Sequence, residues 1–226
     1  MFVIEGEAIA AAENEVSKFK ADALEMEKIF NRPPFYSVEI IEAPATSLKD
    51  LQTRLLSTQL EGVEKVIIYY TGHTEPAVPE RKARRGYTPI KLAGKEAVKM
   101  SELLKYGLSL QFKLVVVGGV VNLNSEDDSP PDKIEEEAYR PASLVFSSKL
   151  WSGEGGVIFF SCSPKQSTIS TKEYVPFTRT LLATMLSDSN TLNWTELLAQ
   201  TATNFSSTTV TFFSNVDKSS PILRML

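Results

Sequence analysis

The 226-residue chain contains one cysteine and one histidine. A single thiol excludes an intrachain disulfide. One cysteine with one histidine also excludes the Cys/His clusters that hold structural zinc. Positive charge is short as well: 24 Lys and Arg stand against 28 Asp and Glu, a net charge of -4. That balance offers no electrostatic basis for binding nucleic acid or an anionic membrane. No apolar run approaches the length needed to cross a bilayer. The start, Met1-Phe2-Val3-Ile4-Glu5, lacks a basic segment and a long apolar core, so no signal peptide is expected. Together these absences set the expectation of a soluble cytoplasmic protein, with no cofactor implied.

What is present is ordinary for a globular protein: 42% hydrophobic and 23% charged residues. The length suffices for one domain with a substantial core. No internal repeat is visible. The organising stretch is Val66-Ile67-Ile68-Tyr69-Tyr70-Thr71-Gly72-His73. A run of β-prone residues should form a buried strand that gives way to a small polar turn at Thr71-Gly72. That turn carries the lone histidine. In open α/β sheets the chemistry gathers at the carboxyl ends of strands, which makes His73 the first candidate.

The chain around it alternates. Phe2-Val3-Ile4 predicts a first strand. Val16, Phe19, Ala23, Met26 and Phe30 recur at helical spacing, and Pro33-Pro34 must end that helix. Tyr36 to Ile41 reads as a second strand. Thr46 or Ser47 caps a second helix, with Asp50 at capping-box distance from Ser47. After His73, the basic run Arg81-Lys82-Ala83-Arg84-Arg85 reads as a solvated loop, and Tyr87 to Leu92 as a short strand. Met100, Leu103 and Leu104 predict a helix that fades at Gly107. Phe112 to Val117 is the most buried-looking strand, and Gly118-Gly119 should end it. Residues 122–141 combine acid, proline and asparagine, as in a long loop. The cluster Glu126-Asp127-Asp128 is compatible with calcium or, more simply, with a solvated acidic face. Gly156 to Phe160 is a further strand. Pro176 opens a helix, Asn193 with Glu196 caps another, and Val210 to Phe213 is the last main strand. Strand and helix in alternation predict an α/β fold with a roughly six-stranded, mainly parallel sheet and helices on both faces.

Several short segments resemble the caspase-like peptidases, in particular the metacaspase and bacterial caspase-homologue branch. Tyr69-Tyr70-Thr71-Gly72-His73 is similar to the Y-Y-S-G-H segment that carries that family's catalytic histidine. Ser161-Cys162-Ser163-Pro164-Lys165-Gln166-Ser167 is similar to the segment entering the small-subunit half. Val175-Pro176-Phe177-Thr178-Arg179-Thr180-Leu181-Leu182 resembles G-x-F-T-x-x-L-L, and Lys218-Ser219-Ser220-Pro221 resembles the terminal Q-x-P. Asp22-Ala23 looks like the N-D-A of the family's first helix. The matches occur in the family's order across nearly the whole chain. The resemblance implies one caspase-like domain over 1–226, with a large-subunit-like half (1–121), the acidic loop (122–141) and a small-subunit-like half (142–226).

The chain departs from the pattern where that family keeps its chemistry. There the strand corresponding to 113–117 runs into an aspartate that lines a pocket for a basic side chain and a cysteine that is the nucleophile. Here the segment is Val117-Gly118-Gly119-Val120-Val121-Asn122, with Gly118 at the aspartate position and Val120 at the cysteine position. Valine forms no thiolate and no acyl intermediate. The resemblance therefore implies a relic: His73 without its partner, on a scaffold that works by binding. Gly118, Gly119, Ser161 and Gln166 would line the old cleft. The expected partner is a protein or peptide, with an active caspase-like homologue among the possibilities, and the chain would be a monomer or a dimer through an edge strand. The alternative is an active cysteine peptidase that uses Cys162 with His73.

Overall fold

The side chains of the central strands alternate cleanly between two apolar environments, and that alternation builds the molecule. The computed structural model describes residues 1–5, 13–30, 39–42, 47–74, 89–92, 97–123, 148–161, 175–188, 192–205, 210–214 and 216. The acidic cluster, the basic run and the terminal Lys218-Ser219-Ser220-Pro221 lie outside them.

Eight strands form the described sheet: β1 (Phe2–Glu5), β2 (Glu39–Glu42), β3 (Lys65–Thr74), β4 (Pro89–Lys91), β5 (Ala97–Lys99), β6 (Leu114–Leu123), β7 (Gly155–Phe160) and β8 (Thr211–Ser214). The main path runs β2-β1-β3-β6-β7-β8, which are the six strands expected. All neighbours on it are parallel except β7 and β8. A small antiparallel ladder of β4 and β5 hangs off the end of β3. Six helices are described: α1 (Glu13–Phe30), α2 (Leu48–Leu60), α3 (Met100–Ser109), α4 (Ser148–Ser152), α5 (Pro176–Asp188) and α6 (Trp194–Asn204). None of them is long and apolar enough to cross a membrane.

Period-two burial assigns the strand residues to the two faces. Ile67, Tyr69, Leu114, Val116, Val120, Val157 and Phe159 pack with α1, α5 and α6. Val66, Ile68, Tyr70, Val115, Val117, Ile158 and Phe160 pack with α2 and α3. Helices therefore cover both faces, as the alternating pattern requires.

The helix ends follow local chemistry. Ser47 Oγ caps α2 by accepting from the Asp50 amide (3.2 Å), and the Ser47 amide donates in return to the Asp50 carboxylate (3.2 Å). Asn193 and Glu196 repeat the device at α6, at 2.9 and 2.8 Å. Reciprocal bonds of this kind satisfy donors the helix itself cannot reach. Pro176 opens α5, where its missing N–H leaves no donor unpaired.

Three expectations are corrected. The turn expected at Thr71-Gly72 is not there: β3 continues to Thr74. Nor does Gly118-Gly119 end the next strand, since β6 continues to Leu123. The reason is shared, because β3 and β6 pair in unbroken register from Lys65↔Leu114 to Thr74↔Leu123. A ladder satisfied over ten rungs overrides the turn preference of Gly and Thr. Finally, α3 runs through Gly107 to Ser109. A Cβ at Gly107 would come within 2.9 Å of Val115 Cγ1, so this glycine lets α3 press against β6.

Candidate functional site

The extended register of β3 and β6 places the sequence candidates side by side. Thr71 is opposite Val120, Gly72 is opposite Val121, and His73 is opposite Asn122. Tyr69, Gly118 and Phe159 occupy one rung across three strands. His73 thus holds the level of Asn122, two positions beyond Val120 toward the carboxyl end.

Val120 is 1% exposed and belongs to the core that packs with α1, α5 and α6. The side chain at this position faces apolar neighbours rather than solvent. Gly118 sits between two aromatic residues of its own rung. A Cβ there would lie 2.3 Å from the Phe159 ring, which already fills the space. Tyr69 and Phe159 rings stand 6.2 Å apart, and the aromatic row continues through Phe177 (6.2 Å) to Phe205 (5.4 Å). Gly119 has a different constraint. Its φ is +155°, and a Cβ would fall 1.8 Å from the Tyr70 carbonyl oxygen of the paired strand. No side chain fits such a close backbone approach.

Ser161 follows β7. It is fully buried, and its N–H donates to the Gly119 carbonyl at 3.1 Å. Cys162 and Gln166 lie outside the described residues, as does the side chain of His73. In the strand order, β6 separates β3 from β7. Residues at one level of those two strands are therefore about 9.5 Å apart, twice the strand spacing.

Immediately beneath the Thr71–Val120 rung is a buried polar cluster. Asp22, in the middle of α1, is 1% exposed. Its Oδ2 accepts from Thr71 Oγ1 at 3.3 Å and from Thr178 Oγ1. Tyr69 Oη is 2.8 Å from Thr178 Oγ1. When Asp22 is ionised the Thr178 hydrogen is used on its carboxylate, and Tyr69 is then the donor in that pair. The result is a directed chain, Tyr69 to Thr178 to Asp22, with Thr71 as a second donor. The other carboxyl oxygen, Asp22 Oδ1, is buried without a hydrogen bond. One turn along α1, Glu25 Oε1 is 3.6 Å from Arg179 Nη2.

Burial dominates the electrostatics. It pushes the Asp22 carboxyl from 3.8 up to about 7, and the nearby Glu25 charge adds to the rise. Hydrogen bonds from Thr178, the Val175 backbone and Thr71 hold it back from going further. Burial first, and then the Asp22 charge, also raises the Tyr69 phenol well above its ordinary range.

This cluster was not expected. Asp22, Thr71 and Thr178 appear in the sequence only as letters of three separate family-like segments. One signal was available: Asp22 is three residues after Phe19 and four before Met26, on the apolar stripe of its helix. A carboxylate on a core stripe needs an internal partner.

No protein-family model and no curated protein matches the chain. Solved structures do. Caspase-1 from Spodoptera frugiperda superposes over 95% of this chain and 85% of its own, with a TM-score of 0.62 at 11% identity. A protein from Geobacter sulfurreducens superposes over 94% of this chain and 92% of its own, with a TM-score of 0.60, also at 11% identity. The chain therefore has the caspase-like fold, in agreement with the resemblance found in its sequence.

Proposed function

We propose that this protein is a caspase-like scaffold that acts by binding a protein or peptide, with no nucleophile at the position where the family keeps one. The observation that carries this reading is the environment of Val120, sealed in the core opposite Thr71. Gly118 supports it. The family's aspartate has no room there, because the Phe159 ring occupies the side-chain space. A pocket for a basic residue built on that aspartate has no counterpart.

On this reading a peptide segment binds at the carboxyl end of the sheet; Gly118, Gly119 and Ser161, expected to line the cleft, are buried and would support that surface from beneath. A caspase-like homologue is the partner class that best suits the scaffold. Among the described residues no strand pairs with the outer edge of β8, and on this reading that edge pairs with the partner. The test is affinity capture of the full chain from its native source, with partners identified by mass spectrometry. Recovery of one stoichiometric homologue or peptide supports binding. Turnover of peptide substrates by the purified chain, abolished in Cys162→Ala, overturns the reading.

A further inference from the structure

The core on the α1/α5/α6 side of the sheet holds a polar cluster built from three elements. Asp22 comes from α1, Tyr69 and Thr71 from β3, and Thr178 from the first turn of α5. Each is at most 1% exposed, so bulk water does not compete for their polar groups. Asp22 Oδ2 accepts from Thr71 and Thr178, and Tyr69 is bonded to Thr178. The Val175 backbone also donates to the Asp22 carboxyl. Hydrogen bonds are directional, and these hold only when all three elements stand at one axial position.

The apolar contacts around the cluster are less selective. They are non-directional, and hydrophobic side chains of similar size exchange at small cost. On α5, Phe177, Leu181 and Met185 are spaced by four, so a shift of one turn, about 5.4 Å, sets each on the site of the next. On α1, Phe19 and Ala23 repeat at the same spacing, as do Met26 and Phe30. β3 cannot move with the helices, because it is paired on both sides, to β1 and to β6. The polar cluster does not survive such a shift. It would set Leu182 on the site of Thr178, leaving the Tyr69 hydroxyl without its partner, or Met26 on the site of Asp22, leaving Thr71 and Thr178 without their acceptor. A buried polar group stripped of its partner costs more than the bond contributed.

We infer that the cluster of Asp22, Tyr69, Thr71 and Thr178 is a register lock: it selects one axial position of α1 and α5 against β3, where the apolar core alone leaves one-turn alternatives open. What it fixes lies at the carboxyl end of the sheet. Thr71 is two positions before His73, and Thr178 is in the turn where the chain re-enters the core after residues 162–174, which include Cys162 and Gln166. The lock sets where β3 and α5 stand relative to each other, whether that end of the sheet binds or cleaves peptides.

The test removes the cluster whole. The full chain carrying Asp22→Leu, Tyr69→Phe, Thr71→Val and Thr178→Val nearly keeps the packing volume and has no hydroxyl left there in need of an acceptor. Replacing a buried polar group in this way is often neutral for stability or better, so the variant should fold. Methyl NMR reads Leu181, Leu182 and Met185 on α5 against Leu103 and Leu104 on α3. The wild type should give one sharp set of signals for both helices. The quadruple variant should double or broaden the α5 signals while those of α3 stay single. One sharp α5 set in that variant, with the wild-type contact between Phe177 and Phe205 retained, overturns the lock. If the quadruple variant does not fold, Thr178→Val and Thr178→Ser decide. The lock predicts a second α5 set in Thr178→Val and a single set in Thr178→Ser, which keeps the hydroxyl. A single set in both, or a second set in both, overturns it.

Discussion

The two faces of this sheet use the same strands and differ in one respect. On the α2/α3 side, Val66, Ile68, Tyr70, Val115, Val117 and Ile158 meet Leu51, Leu55, Leu103 and Leu104 in an apolar seal. On the α1/α5/α6 side the same register delivers Tyr69 and Thr71 to a buried acid, beside an aromatic row that spans Gly118. An apolar core could fill that space at least as stably, since a buried polar network gains little over well-packed hydrocarbon. The chain departs from simple packing at the carboxyl end of β3 and β6, on one face only, next to Val120.

The largest effect is expected at the β3–β6 pairing that both faces share. Gly119→Ala drives a Cβ into the Tyr70 carbonyl, a clash with backbone that no side-chain rotation relieves. It should destabilise the protein by at least about 4 kcal/mol, or prevent folding, as read by denaturant unfolding.

The second prediction concerns pH and belongs to the polar face alone. Because the folded carboxyl of Asp22 sits near 7 rather than 3.8, the folded state binds a proton that the unfolded state releases. Its contribution to stability is complete below about pH 4 and is lost as pH rises through 7, a change of about 4 kcal/mol. Denaturant melts from pH 4 to 8 should show this component in the wild type and lack it in Asp22→Asn.

A smaller effect sharpens the reading of the aromatic row. Gly118→Ala must displace the Phe159 ring, and overpacking of this kind costs about 1–3 kcal/mol. Combining it with Phe159→Leu should recover part of that loss. Smaller still, Tyr69→Phe removes the donor at the head of the hydrogen-bond chain but leaves Thr178 bonded to Asp22. About 1 kcal/mol is expected from thermal or denaturant unfolding.

Much of the fold was legible in the residues. Alternating apolar runs and helical spacing located the six main strands and five of the six described helices, and Ser47/Asp50, Asn193/Glu196 and Pro176 marked helix starts. The short α4 and β5 were not visible, because three to five residues carry too little periodicity. The strand ends misled for a different reason. Gly72, Gly118 and Gly119 are turn formers in isolation, and only pairing between strands some fifty positions apart in the chain keeps them extended. Register is a long-range property, so the neighbourhood of His73 with Asn122 and of Thr71 with Val120 could not be read from either strand alone. The Asp22 cluster was hidden for the same reason: its bonds close loops of 49 and 156 residues.

We propose that this caspase-like scaffold carries no working nucleophile. Its most direct test is exposure of the folded full-length chain to electrophilic peptide probes that react with activated thiols, with His73→Ala and Cys162→Ala measured in parallel. The account predicts no labelling of the native wild type beyond that of the His73→Ala variant, and no peptide turnover. Rapid labelling of Cys162 in the native chain, lost on unfolding and lost in His73→Ala, would contradict it.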